Sequence, residues 1–463
     1  MAKTFQTISP VDGSIYCERP YTATNEIDAV LAKAVAVQKS WQAQPLSDRQ
    51  AILSRAIDAL VADKDRIAQE LTWQMGRPIS QAPGEVGGLE ERARHMIAIA
   101  PQALADVVPD QQPGFNRFIR RVPLGVVAIL APWNFPYLTA VNGIIPALAA
   151  GNAVVLKHSH QTPLCAERFA DAFAAAGLPD GVFQYVNLDH DQTATFVADD
   201  RVNFVNFTGS VAGGHAVQEA VSRKFISTGL ELGGKDPAYV RADADLEHAI
   251  ENVVDGAFFN SGQSCCGIER IYVHKDLYPG FIAGTAGLVS QYVLGDPTLM
   301  ATNLGPMVST KAADFVRAQI ADAVEQGATK LIDASIFPAD KPGTPYLAPQ
   351  VLVDVDHTMR VMRQESFGPV VGIMSVDTDE EAVALMNDSD FGLTASIWTQ
   401  DEQMALDLAE QLETGTVFMS RCDYLDPALA WTGVKNSGRG CTLSSMGYEA
   451  LTRPKSIHLR SKI

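Results

Sequence analysis

The apolar positions divide the chain into an N-terminal part with helical spacing and a longer part in which short apolar runs alternate with helices. From Glu26 to Ala105, apolar residues recur at intervals of three and four, as in AILSRAIDALVADKDRIAQEL after a possible cap at Ser47. From Val126 onward, helical stretches such as PLCAERFADAFAAAG separate the strand-like runs VVAIL, AVVLK, VFQYV and VNFVNF. This alternation predicts βαβ units in a parallel sheet that is covered on both faces.

A second series of the same kind follows Gly234. It contains the helical stretch LEHAIENVVDGAFF, the strand-like run RIYVH, and further strands near VVGIMSV, SIWT and TVFMS. Two strands with polar flanks, Phe115 to Arg121 and the tail PKSIHLRSKI, fit neither series and are predicted to pair with each other or with another subunit. The predicted fold class is therefore α/β, with two doubly wound parallel-sheet domains and a small β arm.

Composition limits the partners and the compartment. The 463 residues carry a formal net charge of -18, which disfavours binding to nucleic acid or to an anionic membrane surface. Six scattered cysteines are too few for a disulfide framework, and the opening MAKTFQTISPVDG shows no secretory signal, so a cytoplasmic location is expected. The stretch between Arg121 and Lys157 lacks charge, but four prolines interrupt it, which argues against a membrane span.

A thiol and a carboxylate are the first candidates for chemistry. Cys265 and Cys266 lie in FFNSGQSCCGIER (258–270), after a predicted helix and in a glycine-containing turn. An ordinary cysteine is a small buried apolar residue, and an ordinary glutamate is a solvated surface group. Here the loop and the nearby motif ELGGK (231–235) instead favour a nucleophilic thiol served by the carboxylate of Glu231.

Two further motifs follow predicted strands, where α/β sheets bind ligands. PWNFP (132–136) comes directly after VVAIL, and the Asn134 amide could either stabilise an oxyanion or form an ordinary Asx turn. No GxGxxG follows a strand, but FTGSVAGG (207–214) places Gly209 and Ser210 before a predicted helix. Free amides at that helix N-terminus would suit a pyrophosphate.

These four motifs, together with ESFGPV (365–370) and GVKNSGRG (433–440), stand in the order found in the aldehyde dehydrogenase superfamily. The chain resembles this family from its N-terminal helices to its tail. The resemblance implies oxidation of a small-molecule aldehyde to a carboxylic acid with NAD or NADP, through a thiohemiacetal and a thioester on Cys265. It also implies that Asn134 and the backbone N–H of Cys265 hold the oxyanion, that Glu231 is the base for hydrolysis, that no metal takes part, and that the protein is a homodimer or homotetramer.

The same resemblance implies a set of cofactor contacts and exposes two departures. His160 stands where NAD-preferring members usually carry a glutamate that binds the adenosine ribose, so the choice between NAD and NADP stays open. Thr442 stands where many relatives carry a second acid, which favours Glu231 as the base. The implied cofactor-binding residues are Trp133, Lys157, Gly209, Ser210, Glu365 and Phe367.

The domain assignment follows from the two series of elements and from the same resemblance. We expect a dinucleotide-binding domain at residues 1–108 and 124–232, a catalytic domain at 233–435, and an oligomerisation arm at 109–123 and 450–463. Phe259, Trp431 and Tyr137 are expected to line an apolar tunnel for a medium-sized aldehyde, and the motifs contain no arginine cluster that would single out a dicarboxylic semialdehyde.

Three alternatives stay open at this point. A relative that passes the acyl group to coenzyme A needs no base for hydrolysis, which Glu231 argues against. A catalytically silent member of the fold is a second alternative, since fold does not guarantee function. A cofactor-free cysteine hydrolase would need a histidine partner, and the motifs supply His158 and His160 alone.

Overall fold

The computed structural model describes residues 3–461. Residues 1–2 and 462–463, the outer ends of the expected dinucleotide-binding segment and arm, lie outside it. The strands are β1 Thr4–Ile8, β2 Ile15–Pro20, β3 Phe115–Pro123, β4 Val126–Leu130, β5 Ala153–Lys157, β6 Phe183–Tyr185, β7 Val202–Thr208, β8 Thr228–Glu231, β9 Asp236–Val240, β10 Ile268–His274, β11 Thr329–Lys330, β12 Gln350–Val353, β13 Val370–Val376, β14 Phe391–Gly392, β15 Thr394–Trp398, β16 Thr416–Met419, β17 Val434–Lys435, β18 Gly438–Arg439 and β19 Thr452–Arg460.

The α-helices connect these strands and cover the sheets. They are α1 Thr24–Ala43, α2 Leu46–Ala62, α3 Lys64–Met75, α4 Pro83–Ala103, α5 Pro136–Ala149, α6 Pro163–Ala175, α7 His190–Ala198, α8 Val211–Ala220, α9 Leu246–Phe258, α10 Tyr278–Val289, α11 Thr310–Glu325, α12 Arg360–Arg363, α13 Asp379–Asn387, α14 Glu402–Ala409 and α15 Ser444–Ala450. Short 3-10 turns lie at Phe259–Gly262 and Ala334–Ile336.

The first sheet has the strand order β18-β8-β7-β4-β5-β6, and all its neighbours are parallel except β18, which runs antiparallel to β8. Every residue of the central strand β4 is buried. Val127 and Ile129 pack into one apolar cluster, and the alternate residues Val126, Ala128 and Leu130 pack into another. Because successive side chains point to opposite faces, this division places a core on each side of the sheet, as the uninterrupted apolar run predicted.

The second sheet has the order β11-β12-β13-β10-β9-β15-β16, in which only the β11–β12 pair, among the described strands, is antiparallel. The residues of β9 are all buried, and α9 packs on the sheet through its apolar residues. Mixed α/β architecture with parallel sheets therefore holds for both series of elements, and the predicted fold class is confirmed.

The N-terminal helical stretch is divided in a way that the apolar spacing did not predict. AILSRAIDALVADKDRIAQEL forms two helices, α2 and α3, which meet at Asp63. The proposed cap at Ser47 is wrong: α2 begins at Leu46, so Ser47 lies within its first turn and Pro45 precedes it. Buried residues of both helices join the cluster on one face of the first sheet.

The two isolated strands pair with each other. β3 and β19 form an antiparallel ribbon with continuous register from Phe115 opposite Arg460 to Pro123 opposite Thr452. Most side chains of β19 are exposed. No helix within residues 3–461 is long and apolar enough to cross a membrane.

Candidate active site

Three motifs meet at the carboxyl ends of the first sheet. PWNFP follows β4, FTGS spans the end of β7, and Glu231 closes β8 opposite Thr208. The chain leaves β4 towards β5 on one side and returns through β7 on the other, so the motifs surround the topological switch point of the sheet. Open α/β sheets bind ligands at such points.

The loop that carries Cys265 is built from an unusual backbone. Asn260, Ser261 and Gly262 have φ values of 53°, 57° and 70°, three consecutive residues in the left-handed region. Hydrogen bonds hold this conformation: Ser261 Oγ donates to the Gly305 carbonyl at 2.8 Å, and Asn260 Nδ2 donates to the Gln263 carbonyl at 3.2 Å. The NSGQ sequence therefore forms a fixed turn that ends at the half-buried, free thiol of Cys265.

The glycines of ELGGK allow a second segment to lie against this loop. A Cβ atom on Gly234 would lie 2.2 Å from the carbonyl oxygen of Cys265, so no side chain fits there. A Cβ on Gly233 would lie 2.4 Å from a carboxylate oxygen of Glu365, and the Gly234 N–H donates to Glu365 Oε1 at 3.0 Å. The glycine pair thus brings Glu231, Cys265 and Glu365 into one region.

The Glu231 carboxylate is buried and hydrogen-bonded at both oxygens. Thr442 Oγ1 donates to Oε1 at 2.6 Å, and Thr208 Oγ1 donates to Oε2 at 3.1 Å. Burial raises the pKa of Glu231, while the two hydroxyls and the charge of Arg92 oppose this rise. Thr442, noted in the sequence as the place of a missing acid, is here a direct partner of the proposed base.

Cys265 and Glu231 line one cavity with a volume of about 330 Å³. Its second cysteine, Cys266, donates a hydrogen bond to Asp423 Oδ1 at 2.8 Å. The pKa of the Cys266 thiol is raised by its hydrogen bond with Cys265, by burial and by the charge of Asp423. Cys266 is thereby kept as a neutral thiol. Aromatic and aliphatic side chains cover much of the remaining wall: Phe135, Leu138, Phe259, Leu425 and Trp431.

An ion pair that the sequence did not reveal supports the PWNFP turn. Arg77 and Glu85 form a fully buried salt bridge, and Arg77 also donates to the Asn134 carbonyl and to Asn260 Oδ1. Glu85 Oε1 accepts the first N–H groups of α5, from Tyr137 at 2.8 Å and from Leu138 at 2.9 Å. No motif and no apolar spacing in the sequence marked Arg77 or Glu85 as buried, so only the folded structure reveals this ion pair.

Asn134 is buried and held close to the nucleophile loop. Its Nδ2 donates to the Gln263 carbonyl at 3.2 Å, two residues before Cys265. Because a primary amide has two N–H groups, one hydrogen remains for a second acceptor. Asn134 is not among the residues that line the Cys265 cavity, and its contact with Gln263 places it beside the loop that carries Cys265.

Trp133 and Phe367 meet edge to face, with ring centroids 5.7 Å apart. Phe367 is held by its backbone N–H, which donates to Glu269 Oε1 at 2.8 Å, and Glu269 in turn pairs with Lys235 of the ELGGK motif. Burial and the charge of Glu269 raise the pKa of Glu365 to about 8. The ESFGPV segment is therefore anchored beside the ELGGK turn.

A second cavity, of about 210 Å³, lies between β4, β5 and α8 and is lined by Lys157 and Ser210. Ser210 caps α8 by accepting the Gly213 N–H, and a Cβ on Gly209 would lie 2.6 Å from the ring of Phe207. The Lys157 ammonium has no hydrogen bond or ion pair with any residue in 3–461, and burial lowers its pKa to about 8. A desolvated ammonium without a partner suits the hydroxyls or phosphate of a nucleotide.

His160 stacks on Phe5 with ring centroids 4.2 Å apart. Burial lowers its pKa to about 4, and Nε2 has no hydrogen-bond partner in the described part of the chain. His158 is fully buried and bonds to backbone groups of Pro136 and Ser159. Neither histidine is found among the described residues lining the Cys265 cavity, which removes the support for a cysteine hydrolase.

Two details of the tunnel differ from expectation. Phe259 and Trp431 line the cavity as predicted, but Tyr137 does not; its ring is buried against Phe169 at 5.3 Å. The walls also include Arg77, between α3 and α4, and Arg92, on α4, and both lie outside every motif. The cavity is therefore more polar than the sequence motifs indicated.

Comparison with known proteins agrees with this architecture. The sequence model of the aldehyde dehydrogenase family matches residues 1–457. An aldehyde dehydrogenase of Paenarthrobacter nicotinovorans is 35% identical over 97% of this chain and 98% of its own length. The NADP-dependent succinate-semialdehyde dehydrogenase of Deinococcus radiodurans is 33% identical over 98% of this chain and 94% of its own. The structure of an NADP-dependent glyceraldehyde-3-phosphate dehydrogenase from Bacillus halodurans, complexed with NADP, superposes with a TM-score of 0.93 at 32% identity, covering 99% of this chain and 96% of that one.

A fold with two mostly parallel sheets, one cavity lined by a thiol and a carboxylate, and a second cavity at the carboxyl edge of the first sheet is typical of a nucleotide-dependent oxidoreductase. The chain belongs to the aldehyde dehydrogenase family. It oxidises an aldehyde to a carboxylic acid with NAD or NADP as the hydride acceptor.

Proposed function

We propose that Cys265, Glu231 and Asn134 carry out this oxidation, with Cys265 as the covalent nucleophile. The observation that carries the proposal is the shared cavity of about 330 Å³, which the Cys265 thiol and the Glu231 carboxylate both line. The raised pKa of Cys266, which keeps that thiol neutral, favours its neighbour as the nucleophile.

In the first step, Cys265 Sγ forms a bond to the aldehyde carbon and the carbonyl oxygen becomes an oxyanion. The free N–H of the Asn134 amide and the backbone N–H of Cys265 donate to this oxyanion, and each such donor contributes about 3 kcal/mol in other oxyanion holes. A nicotinamide flanked by Trp133 and Phe367 would supply the hydride acceptor, and loss of hydride from the adduct carbon would leave a thioester on Cys265.

In the second step, Glu231 takes a proton from water while the water oxygen bonds to the thioester carbon. The carbon–sulfur bond then breaks, which releases the carboxylic acid and returns the Cys265 thiolate. Burial raises the pKa of Glu231 and so makes the carboxylate a better base than an exposed one. The hydroxyls of Thr442 and Thr208 hold its two oxygens in place.

The dinucleotide is proposed to bind along the carboxyl edge of the first sheet. Lys157 would donate to the adenosine ribose, Gly209 and Ser210 would face the pyrophosphate, and Glu365 would accept from the nicotinamide ribose. Trp133 and Phe367 would flank the nicotinamide end. The unpartnered ammonium of Lys157 supports this placement, and the neutral His160 in place of an acid favours acceptance of both NAD and NADP.

We also propose a cytoplasmic homodimer or homotetramer, with the predicted division into dinucleotide-binding, catalytic and arm segments. The ribbon of β3 and β19 supports the arm, because a two-stranded ribbon is marginal alone and gains stability by packing. The six free cysteines suit a reducing compartment. Light scattering on the purified protein measures the oligomeric state, and a monomer would contradict this part.

The assay follows the absorbance of reduced cofactor with several aldehydes, NAD or NADP, and with or without coenzyme A. We expect acid as the product without coenzyme A, loss of activity in Cys265→Ala, and retained but altered activity in Cys266→Ala. Equal activity of Cys265→Ala and the wild type would overturn the assignment. A strict requirement for coenzyme A would indicate thiolysis instead of hydrolysis.

A further inference from the structure

The cavity that holds Cys265 contains a polar side chain that the proposed chemistry does not use. Asn142, on α5, is 1% exposed and lines this cavity. Neither its amide nitrogen nor its amide oxygen has a hydrogen-bond partner among the described residues. A buried amide left unpaired is costly, so its retention in a substrate cavity indicates that a ligand completes its hydrogen bonds.

Arg92 gives a second, independent indication. It lines the same cavity from α4 and is 9% exposed, and its Nη1 donates to the Leu138 carbonyl at 2.9 Å. Within residues 3–461 its guanidinium has no other hydrogen bond and no ion pair. Leu138 and Asn142 lie one turn apart on the same face of α5, so the guanidinium and the amide belong to one wall.

The chemistry of this wall favours a hydroxyl group over a carboxylate. A carboxylate accepts hydrogen bonds only, so it would leave the Asn142 oxygen unpaired, whereas a hydroxyl both donates and accepts. The cavity also holds the carboxyl groups of Glu91, Glu231 and Asp423, none of which forms an ion pair among the described residues. These groups disfavour a second anion in the same space.

We infer that the enzyme selects aldehydes that carry a neutral hydroxyl on the carbon chain away from the carbonyl. Asn142 donates to and accepts from this hydroxyl, and Arg92 donates to its oxygen. The aromatic walls from Phe135 and Phe259 enclose the carbon chain in between. The inference rests on the proposed function, because it takes Cys265 as the end of the cavity where the carbonyl reacts.

Three aldehydes of equal carbon number test the inference: butanal, 4-hydroxybutanal and 4-oxobutanoate. Each kcat/KM is expressed per concentration of open-chain free aldehyde, because 4-hydroxybutanal closes to a cyclic hemiacetal in water. We expect the highest kcat/KM for 4-hydroxybutanal, about tenfold above butanal, the value of one net hydrogen bond. Asn142→Leu removes both amide partners and should lower the ratio of 4-hydroxybutanal to butanal about tenfold. Thr139→Val is the matched control, since Thr139 lines the same cavity but its hydroxyl already donates to the Phe135 carbonyl at 2.8 Å; it should leave this ratio unchanged.

Each other outcome is decisive. Preference for 4-oxobutanoate would overturn the inference in favour of an anionic substrate, and equal use of butanal and 4-hydroxybutanal would overturn it while leaving the proposed function intact. Oxidation of no aldehyde would remove the proposed function and the inference with it. A thermal unfolding curve checks that Asn142→Leu is folded, and the wild-type order of the three substrates decides the question if it is not.

Discussion

The two cavities at the edge of the first sheet differ in how their polar groups are held before any ligand binds. Around Cys265, the carboxylates of Glu231 and Asp423 already accept hydrogen bonds from Thr442 and Cys266. In the other cavity, the ammonium of Lys157 has no partner in the described structure. The difference indicates that the fold itself positions the polar groups of the Cys265 cavity, whereas Lys157 gains its hydrogen-bond partner when a nucleotide binds.

The largest effect is expected from removing the proposed base, Glu231, from the Cys265 cavity. Glu231→Gln keeps the shape of the side chain and one acceptor for the threonine hydroxyls, the other hydroxyl being able to turn and accept from the amide, but it cannot accept a proton from water. We expect hydrolysis of the thioester to slow by up to about 10⁴-fold, because general base catalysis contributes this much. A stopped-flow trace should show one rapid turnover per active site followed by a slow phase. A variant with normal steady-state turnover would contradict the role of Glu231.

Removing the buried ion pair of Arg77 and Glu85, which supports the PWNFP turn, should lower the free energy of unfolding. Arg77→Leu leaves Glu85 as an unpaired buried charge and removes one of the two donors to the Asn134 carbonyl, which should cost about 3–5 kcal/mol of unfolding free energy. Arg94→Leu is the control, because it removes two solvent-accessible ion pairs, with Asp58 and Glu90, and should cost at most about 1 kcal/mol. Urea unfolding of both variants measures the difference. Equal losses of unfolding free energy in the two variants would contradict a larger stabilising contribution from the buried pair.

The affinity of the second cavity for NADP should depend on pH through Lys157. Its pKa is lowered to about 8, so the ammonium is charged below that pH and becomes neutral above it. We expect the Kd for NADP to rise about tenfold as pH increases through 8, since a charged donor is the stronger one. Lys157→Met should bind weakly at every pH, while the exposed Lys33→Met should behave as wild type. A pH-independent wild-type Kd would argue against this contact.

The smallest expected effect concerns Thr442. Its hydroxyl donates to the charged carboxylate and so lowers the pKa of Glu231, in opposition to burial. In Thr442→Val that pKa should be higher, so the loss of hydrolysis on acidification should begin at a higher pH, with less than about a tenfold change at the optimum. A pH profile identical to wild type would indicate that the hydrogen bond does not tune the base.

The sequence was sufficient where a residue's environment follows from its own segment. Strands such as VVAIL are apolar throughout, which already requires a sheet covered on both faces, and the glycines and polar residues of the motifs identify turns at strand ends. The pairing of β3 with β19 was one of two stated options, because an exposed strand has the same pattern whether its partner is near or in another subunit.

The sequence was insufficient where distant residues decide the environment. Arg92 lies in α4 and Arg77 in the connection between α3 and α4, and no motif marks either residue. Only the folded structure shows that both line the cavity. Tyr137 lies next to a motif yet turns into the core, because α5 begins at Pro136 and its face toward Phe169 is buried. The break at Asp63 was hidden because the apolar spacing continues across it.

The central claim is that one sulfur atom, that of Cys265, carries the acyl group. The direct test is to mix Glu231→Gln with an aldehyde and NAD or NADP, stop the reaction in acid, and locate the acyl adduct by fragment mass spectrometry of the peptide that contains both cysteines. We predict a thioester on Cys265 in Glu231→Gln, whether residue 266 is the native cysteine or is changed by Cys266→Ala. An adduct on Cys266, or turnover with no adduct in either background, would contradict it.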